Sequence, residues 1–317
     1  MKYALGALGL ALFGPSAALA ADPTETQGGR ISLIPGDLAA PYASPSVSNS
    51  ARIIPRPPGV APQVPSGFQA NLFAEGLNHA RWLAVAPNGD VFLAEPALDQ
   101  ITILRDQNGD GQADLIRAFA SGFESPHGMA FAPGWLYVAD LEGIWRIAYD
   151  DGDTSAGGES ERITPSGAFG APGGHWTRNI ALSPDGGKIY AAIGSRGNIE
   201  EEPLPRASVQ VFNVDGSDQE TFAWGLRNPL GIAFAPQSED LYVVVNERDD
   251  MGDDLVPDYL TRIQKGEFFG WPYAYIGPNP QPGSAEPRPD LVDLTEVPGL
   301  LFCIYYKSLG LYFNKQH

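Results

Sequence analysis

Four stretches of the chain share one alternation of apolar and polar positions: RWLAVAPNGDVFLAE from Arg81, HGMAFAPGWLYVAD from His127, RNIALSPDGGKIYAAIG from Arg178 and NPLGIAFAPQSEDLYVVV from Asn228. Each is an alternating apolar run, a turn centred on proline, and a second run rich in Val, Leu, Tyr or Phe. That order predicts strand, hairpin, strand. The shared prolines, Pro87, Pro133, Pro184 and Pro236, are 46, 51 and 52 residues apart. A period near 40 to 50 residues with about four strands per unit is the mark of β-propeller blades. Further strands are predicted at Ile101 to Arg105, Ile144 to Tyr149 and Ser208 to Val214, and a fifth unit is expected to begin near Phe268. The expected fold is all-β, a propeller of the six-bladed type with about four to five blades present. A β-sandwich accounts less well for the recurring phase.

The pattern stops outside residues 67–298. Residues 1–20 combine Lys2, an apolar run from Ala4 to Phe13 and the small-x-small triplet Ala18-Leu19-Ala20. This predicts a secretory signal, too short to span a membrane, and hence a periplasmic or secreted protein. Residues 21–66 are rich in Pro, Ser, Ala and Gly and read as a flexible lead-in that packs one short piece against the domain. Residues 299–317 form an atypical tail: Lys307 and Lys315 are two of only five lysines, and Cys303 is the single cysteine. This abrupt change reads as an interrupted or shifted reading frame, so the propeller is expected to be incomplete at its C-terminal side.

Composition narrows the function. The net charge of −18 argues against nucleic acid as a partner. The single cysteine excludes an internal disulfide framework and a Cys-based zinc cluster. Motifs for nicotinamide dinucleotides, serine hydrolases and zinc proteases are all missing.

Three constellations carry chemistry. In RDQNGDGQAD, Asp106, Asn108, Asp110 and Asp114 stand at positions 1, 3, 5 and 9 of a calcium-type loop, with Gly111 at the sharp turn. Arg117 stands where the terminal Glu should be, and a plain hairpin turn uses the same residues. In GGHWTRN, His175 is placed for proton abstraction near neutral pH, with Arg178 and Asn179 beside it. His127 is its rival one unit earlier. In GLRNPLG, Arg227 offers a planar fork suited to carboxylates and Asn228 both donates and accepts. Bonding between blades would use the same pair. The following loop, NERDDMGDD, crowds Glu247, Asp249, Asp250, Asp253 and Asp254 together. It is either a solvated acidic loop or one neutralised by a cation.

Together GHWTRN, SPDGGKIYAAIGS, GLRNPLGIAFAP, NERDDMGDDLVPDYLT and GEFFGWPYAY resemble the soluble quinoprotein sugar dehydrogenases, the glucose/sorbosone dehydrogenase family. The resemblance covers Gly67 to Asp290. It implies a six-bladed propeller binding pyrroloquinoline quinone and calcium (Ca2+) at one end of its channel. It implies His175 as the base that takes the proton from a sugar's anomeric hydroxyl while hydride passes to the quinone. Arg227 and Asn228, with Arg178 and Glu247, would contact the cofactor. The stretch from Glu247 to Asp250 would hold the catalytic calcium, giving Asp249 and Asp250 as ligands. Asp258 and Tyr275 would lie in a second calcium region. The implied partners are a small sugar and an external electron acceptor. Two alternatives remain in view, a calcium-dependent lactonase-type hydrolase and a non-catalytic propeller binding module.

Overall fold

Alternation with period two places successive side chains on opposite faces of a strand, and in the middle strands of each blade both faces are largely buried. In the computed structural model, residues 35–47, 52, 54, 55, 57–62, 64–284 and 287–302 are described. The first sheet is β1 (Trp82–Val85), β2 (Val91–Glu95), β3 (Gln100–Arg105) and β4 (Leu115–Ser121). The second is β5 (Gly128–Ala132), β6 (Trp135–Ala139), β7 (Ile144–Ala148) and β8 (Glu161–Arg162). The third is β9 (Arg178–Leu182), β10 (Lys188–Ile193), β11 (Ser208–Asn213) and β12 (Glu220–Trp224). All pairs are antiparallel and run in chain order, as propeller blades do. The four repeats of the sequence are the two innermost strands of each blade. Their turns need a left-handed residue: Gly134 has φ 78°, and Gln237 takes φ 61° in the fourth repeat, whose turn lacks a glycine.

The cores lie between blades. Phe92, Ile101, Ile103 and Phe119 of the first blade meet Leu136, Val138 and Ile147 of the second. The alternate residues of β6, Tyr137 and Ala139, face the third blade, where Ile180, Ile189, Ala191 and Ile193 receive them. Ala192, Val209 and Ala223 then meet the fourth blade through Ile232, Val243, Val245 and Tyr259. A fully buried aliphatic or aromatic side chain contributes about 1.5–3 kcal/mol, so these two-sided strands dominate the stability.

The fourth sheet departs from the sequence reading. It starts with β13 (Asn228–Phe234), β14 (Leu241–Asn246) and β15 (Asp258–Ile263), but its fourth strand is β18 (Leu300–Phe302). The segment from Phe268, expected to open a fifth blade, does not do so. It runs along β12: Trp224 N donates to Glu267 O, Phe269 N donates to Trp224 O, and Trp271 N donates to Gly225 O. Phe268 stacks on Trp224 at 4.1 Å between centroids, burying the aromatic run against the third blade. The chain continues through the short pair β16 (Ala274–Tyr275) and β17 (Asn279–Pro280) and the turn α1 (Pro289–Val292) before returning as β18. Four blades are therefore present among the described residues. The predicted signal segment at 1–20 and the tail residues 303–317, with Cys303, lie outside them. Among the described residues no helix is long and apolar enough to cross a membrane.

This excursion is tied to the fourth blade by one buried ion pair. Arg248 and Glu247 are fully buried and bonded at 2.9 Å, and Arg248 also donates to Gln281 Oε1 at 2.6 Å and Ala274 O at 2.7 Å. Removing one partner of such a pair strands the other charge. Arg248→Met should cost about 3–5 kcal/mol in urea unfolding, and adding Glu247→Gln should recover part of that loss.

Candidate functional site

The innermost strands β1, β5, β9 and β13 all begin at one end of the blades, and the chemistry gathers there. His175 precedes β9 and is half-buried. Its backbone N donates to Ser195 O at 3.0 Å, and its Nδ1 lies 2.8 Å from Ser195 O and 3.1 Å from Ser195 Oγ. A carbonyl oxygen only accepts, so Nδ1 carries the proton and Nε2 carries the lone pair. Ser195 Oγ donates onward to Gly197 O at 2.7 Å, which fixes it as an acceptor toward the imidazole.

Two residues that sequence reasoning missed build this loop. Arg206 is buried and donates to Gly194 O (2.7 Å), Ala171 O (2.7 Å), Gly173 O (2.9 Å) and Ser195 O (2.9 Å). It therefore staples the segment carrying His175 onto the end of β10. Asn198 receives Arg227 Nη2 at 2.8 Å on its Oδ1 and donates Nδ2 to Asp249 O at 3.0 Å, joining the third and fourth blades. Neither residue sits in a recurring pattern; their partners are distant in sequence. The third contributor is a glycine. A Cβ on Gly194 would lie 2.4 Å from Asn228 Oδ1 and 2.7 Å from His175 Cβ, so its absence lets those two side chains sit together.

Below His175 lies a buried polar set drawn from three blades. Arg178 is 1% exposed and donates Nη1 to His175 O at 2.7 Å and Thr177 O at 2.9 Å. Burial first, and then the Arg206 charge, push its pKa down to about 9, while Asp140 opposes them. Its Nε, both side-chain polar atoms of Asn179, Thr177 Oγ1, Asn228 Oδ1 and His127 Nδ1 are buried with no hydrogen-bond partner in the structure. Buried polar groups are nearly always satisfied, so this concentration marks a place for water or ligand.

Other expected residues are placed differently. Arg227 is buried, yet it spends its fork on the adjoining loops: Nη1 donates to Glu247 O at 2.6 Å and Nη2 reaches Asp249 Oδ2 at 3.1 Å. The Glu247 side chain is turned into the core against Arg248 rather than toward the polar set. Asp258 accepts from Asn246 Nδ2 at 2.6 Å and from Glu247 N at 2.8 Å, holding the loop's backbone. Asp249 and Asp250 are exposed. Asp106, Asn108, Asp110 and Asp114 share one loop between β3 and β4, where Asp106 Oδ1 accepts Gly109 N at 2.7 Å and its Oδ2 accepts Gly111 N at 2.8 Å. That loop lies at the opposite end of its blade from His175. Among the described residues no three or more His, Cys, Asp or Glu side chains are arranged to hold a metal ion.

His127 belongs to an aromatic rim. It lies 5.3 Å from Trp82 and 5.6 Å from Trp176, with Arg81 5.5 Å from the Trp176 ring. Burial, then the charges of Arg81 and Arg178, lower its pKa to about 3, so it stays neutral and is a weak base.

The fold and site thus define a propeller with a set of buried, unpartnered polar groups around Arg178, near a histidine. Residues 62–265 match the family described as TrAA12-like, and the chain belongs to that family. An uncharacterised protein of Borreliella burgdorferi is 22% identical over 225 residues, which are 67% of this chain and 57% of that relative. The chain thus spans less than two thirds of that relative's length. Among solved structures, the holo form of the pyranose dehydrogenase PQQ domain from Coprinopsis cinerea superposes with a TM-score of 0.63. It is 17% identical, over 75% of this chain and 69% of that one. A calcium structure of the Trichoderma reesei family AA12 carbohydrate-active enzyme gives 0.64 at 15% identity, over 76% and 72%. The PQQ-bound aldose sugar dehydrogenase of Streptomyces coelicolor gives 0.55 at 21% identity, over 74% and 70%. These likenesses establish the fold, and the resemblance to the quinoprotein sugar dehydrogenases holds at that level.

Two outcomes follow from the geometry. Gly194→Ala must push Asn228 or His175 aside, and should cost about 1–3 kcal/mol in thermal or urea unfolding. An unchanged midpoint would contradict the close approach. For His127, the unfolded state binds a proton near pH 6.5 and the folded state only near pH 3. Stability should therefore fall on acidification through that window, by up to about 1.4 kcal/mol per pH unit. His127→Phe should flatten the slope of unfolding free energy against pH between those limits.

Proposed function

We propose that this chain is a quinoprotein oxidoreductase of sugars, with pyrroloquinoline quinone seated over the buried polar set beside His175. The observation that carries the reading is Arg178. It is a guanidinium buried to 1% exposure that donates, among the described residues, only to carbonyl oxygens and keeps Nε unpartnered. Burial opposes its charge, and a carboxylate ligand would relieve that penalty. The cofactor carries three carboxylates, and Asn179 and Asn228 supply further donors and an acceptor at the same place. Arg227 contributes by fixing the adjoining loops, and Glu247 through its backbone carbonyl.

Bound there, pyrroloquinoline quinone supplies an acceptor for hydride. His175 takes the proton of the anomeric hydroxyl on Nε2. As the imidazole becomes charged, its Nδ1–H bond to Ser195 O strengthens, which stabilises the developing cation. Arg206 holds that carbonyl and the His175 loop in one arrangement, so the base need not reorganise during proton transfer. Calcium enters the proposal in two places, at the exposed carboxylates Asp249 and Asp250 near Asp258, and in the loop of Asp106, Asn108, Asp110 and Asp114. No step is routed through it. Export to the periplasm or medium, with an external electron acceptor, completes the reading.

The lactonase-type alternative requires a metal held on the axis by carboxylates and amides. The unpartnered polar residues gathered near His175 are Arg178, Asn179, Asn228 and His127, a set that favours an anion over a metal ion.

Titration of the purified protein with the quinone should give a saturable absorbance change, and Arg178→Met should weaken it at least tenfold. His175→Ala should retain quinone uptake but lose about 100- to 10,000-fold in sugar-dependent dye reduction. Uptake unaffected by Arg178→Met would reject the assigned seat.

A further inference from the structure

The loop 247–257 contains Asp249, Asp250, Asp253 and Asp254, four carboxylates within six positions of an already acidic chain. Such crowding is repulsive and favours an expanded loop unless other contacts restrain it. On the inner side the restraint comes from Arg227 and Asn198, which reach Asp249 and the Glu247 carbonyl. The outer side is held by a segment more than 200 residues earlier in the chain.

We infer that residues 35–47 form a strap that holds the acidic loop in the shape the site requires, making the N-terminal lead-in a positioning element. Tyr42 N donates to Met251 O at 2.8 Å, and Gly252 N donates to Ser46 Oγ at 2.9 Å. Asp253 N donates to Ser44 Oγ at 2.9 Å, while Val47 N donates to Asp253 Oδ1 at 2.8 Å. Each segment donates two of these four bonds and accepts the other two, so neither can shift along the other without losing several bonds at once. The approach is close. Gly252 has φ 117°, and a Cβ on it would lie 3.3 Å from both the carbonyl oxygen and Oγ of Ser44. Leu38 anchors the strap by packing on the core cluster that includes Met251 and Leu255, so the loop and its strap share one apolar footing.

The consequence follows from the position of the loop. It begins at the end of β14, where Arg227 from the start of β13 grips the Glu247 carbonyl and Asp249. An expanded loop would release Arg227, whose O accepts from Ser195 N at 2.7 Å, the same residue whose carbonyl positions His175. The strap thereby steadies, through the loop and Arg227, the part of the structure that orients the base. This effect on ligand binding rests on the reading given under Proposed function; the latch itself does not.

The test uses the full chain with Ser44→Ala/Ser46→Ala, and separately Tyr42→Pro, which removes the N–H given to Met251 and cannot take the φ of 62° that Tyr42 adopts in the strap. A protease that cuts before aspartate reports loop opening at Asp250, Asp253 and Asp254. The loop at Asp106 to Asp114, far from the strap, serves as the internal control. Each variant should be cut roughly tenfold faster at the acidic loop and at an unchanged rate at the control loop. Equal acceleration at both loops, or none at either, would overturn the strap. Quinone titration of the same proteins reads the second half: affinity should drop with loop opening, and unchanged affinity despite faster loop cleavage would overturn the positioning role. If the unsubstituted protein takes up no quinone but the cleavage pattern appears, the strap stands and the cofactor reading falls.

Discussion

Guanidinium groups that hydrogen-bond to backbone carbonyls organise the working end of this propeller. Arg206 holds four carbonyls from the His175 loop and the end of β10, Arg178 holds two more, and Arg227 spans from the start of one blade to the loop of its own β14. Carbonyls at strand ends are otherwise left over when a sheet stops, and a five-donor planar cation satisfies several of them at once. This solution differs from ion pairing in one respect that matters. At Arg178 and Arg206 it orients backbone without a carboxylate partner, whereas Arg227 also pairs with Asp249, so positive charge persists at one end of a chain whose net charge is −18.

That residual charge is what links fold to chemistry. Burial lowers the pKa of Arg178, Arg206 and Arg227 alike, because each guanidinium has been moved out of water. Paired carboxylates would remove the strain, and Arg248 with Glu247 shows the chain doing so where only structure is at stake. At Arg178 it does not. The neighbouring amides and hydroxyl left without partners mark the same spot, and a ligand with several anionic oxygens would satisfy both deficits together.

The surroundings of His175 show how one tautomer can be set without a carboxylate. The Ser195 carbonyl takes the Nδ1 proton and the serine hydroxyl turns its own proton to Gly197. His127, one blade earlier, lies deep in the aromatic rim and is held neutral by burial and two arginines. The two histidines thus differ both in environment and in place, since His127 aligns with Arg178 at the start of the repeated strand whereas His175 lies three residues before it.

Much of the architecture could be read from the chain alone. Apolar residues alternate, prolines recur near 50-residue intervals, and strands follow in antiparallel order, because strand propensity and hairpin turns are local properties. The position of His175, Arg178 and Asn228 at one end of the blades follows from the same local pattern, since each sits beside the start of a repeated inner strand. Other assignments depended on partners that no local pattern encodes. Glu247 points inward because Arg248, Gln281 and Ala274 surround a site on which an acidic residue can be paired. The aromatic run at Phe268 runs along β12, where Phe268 lies against Trp224, and the fourth strand of the fourth blade is β18, a pairing with a segment about 40 residues on that no local pattern encodes. Arg206, Asn198 and the strap at Ser44 and Ser46 act on groups from 11 to more than 200 residues away. The sequence determines which segments are strands; only packing decides which distant carbonyls and carboxylates a buried cation will meet.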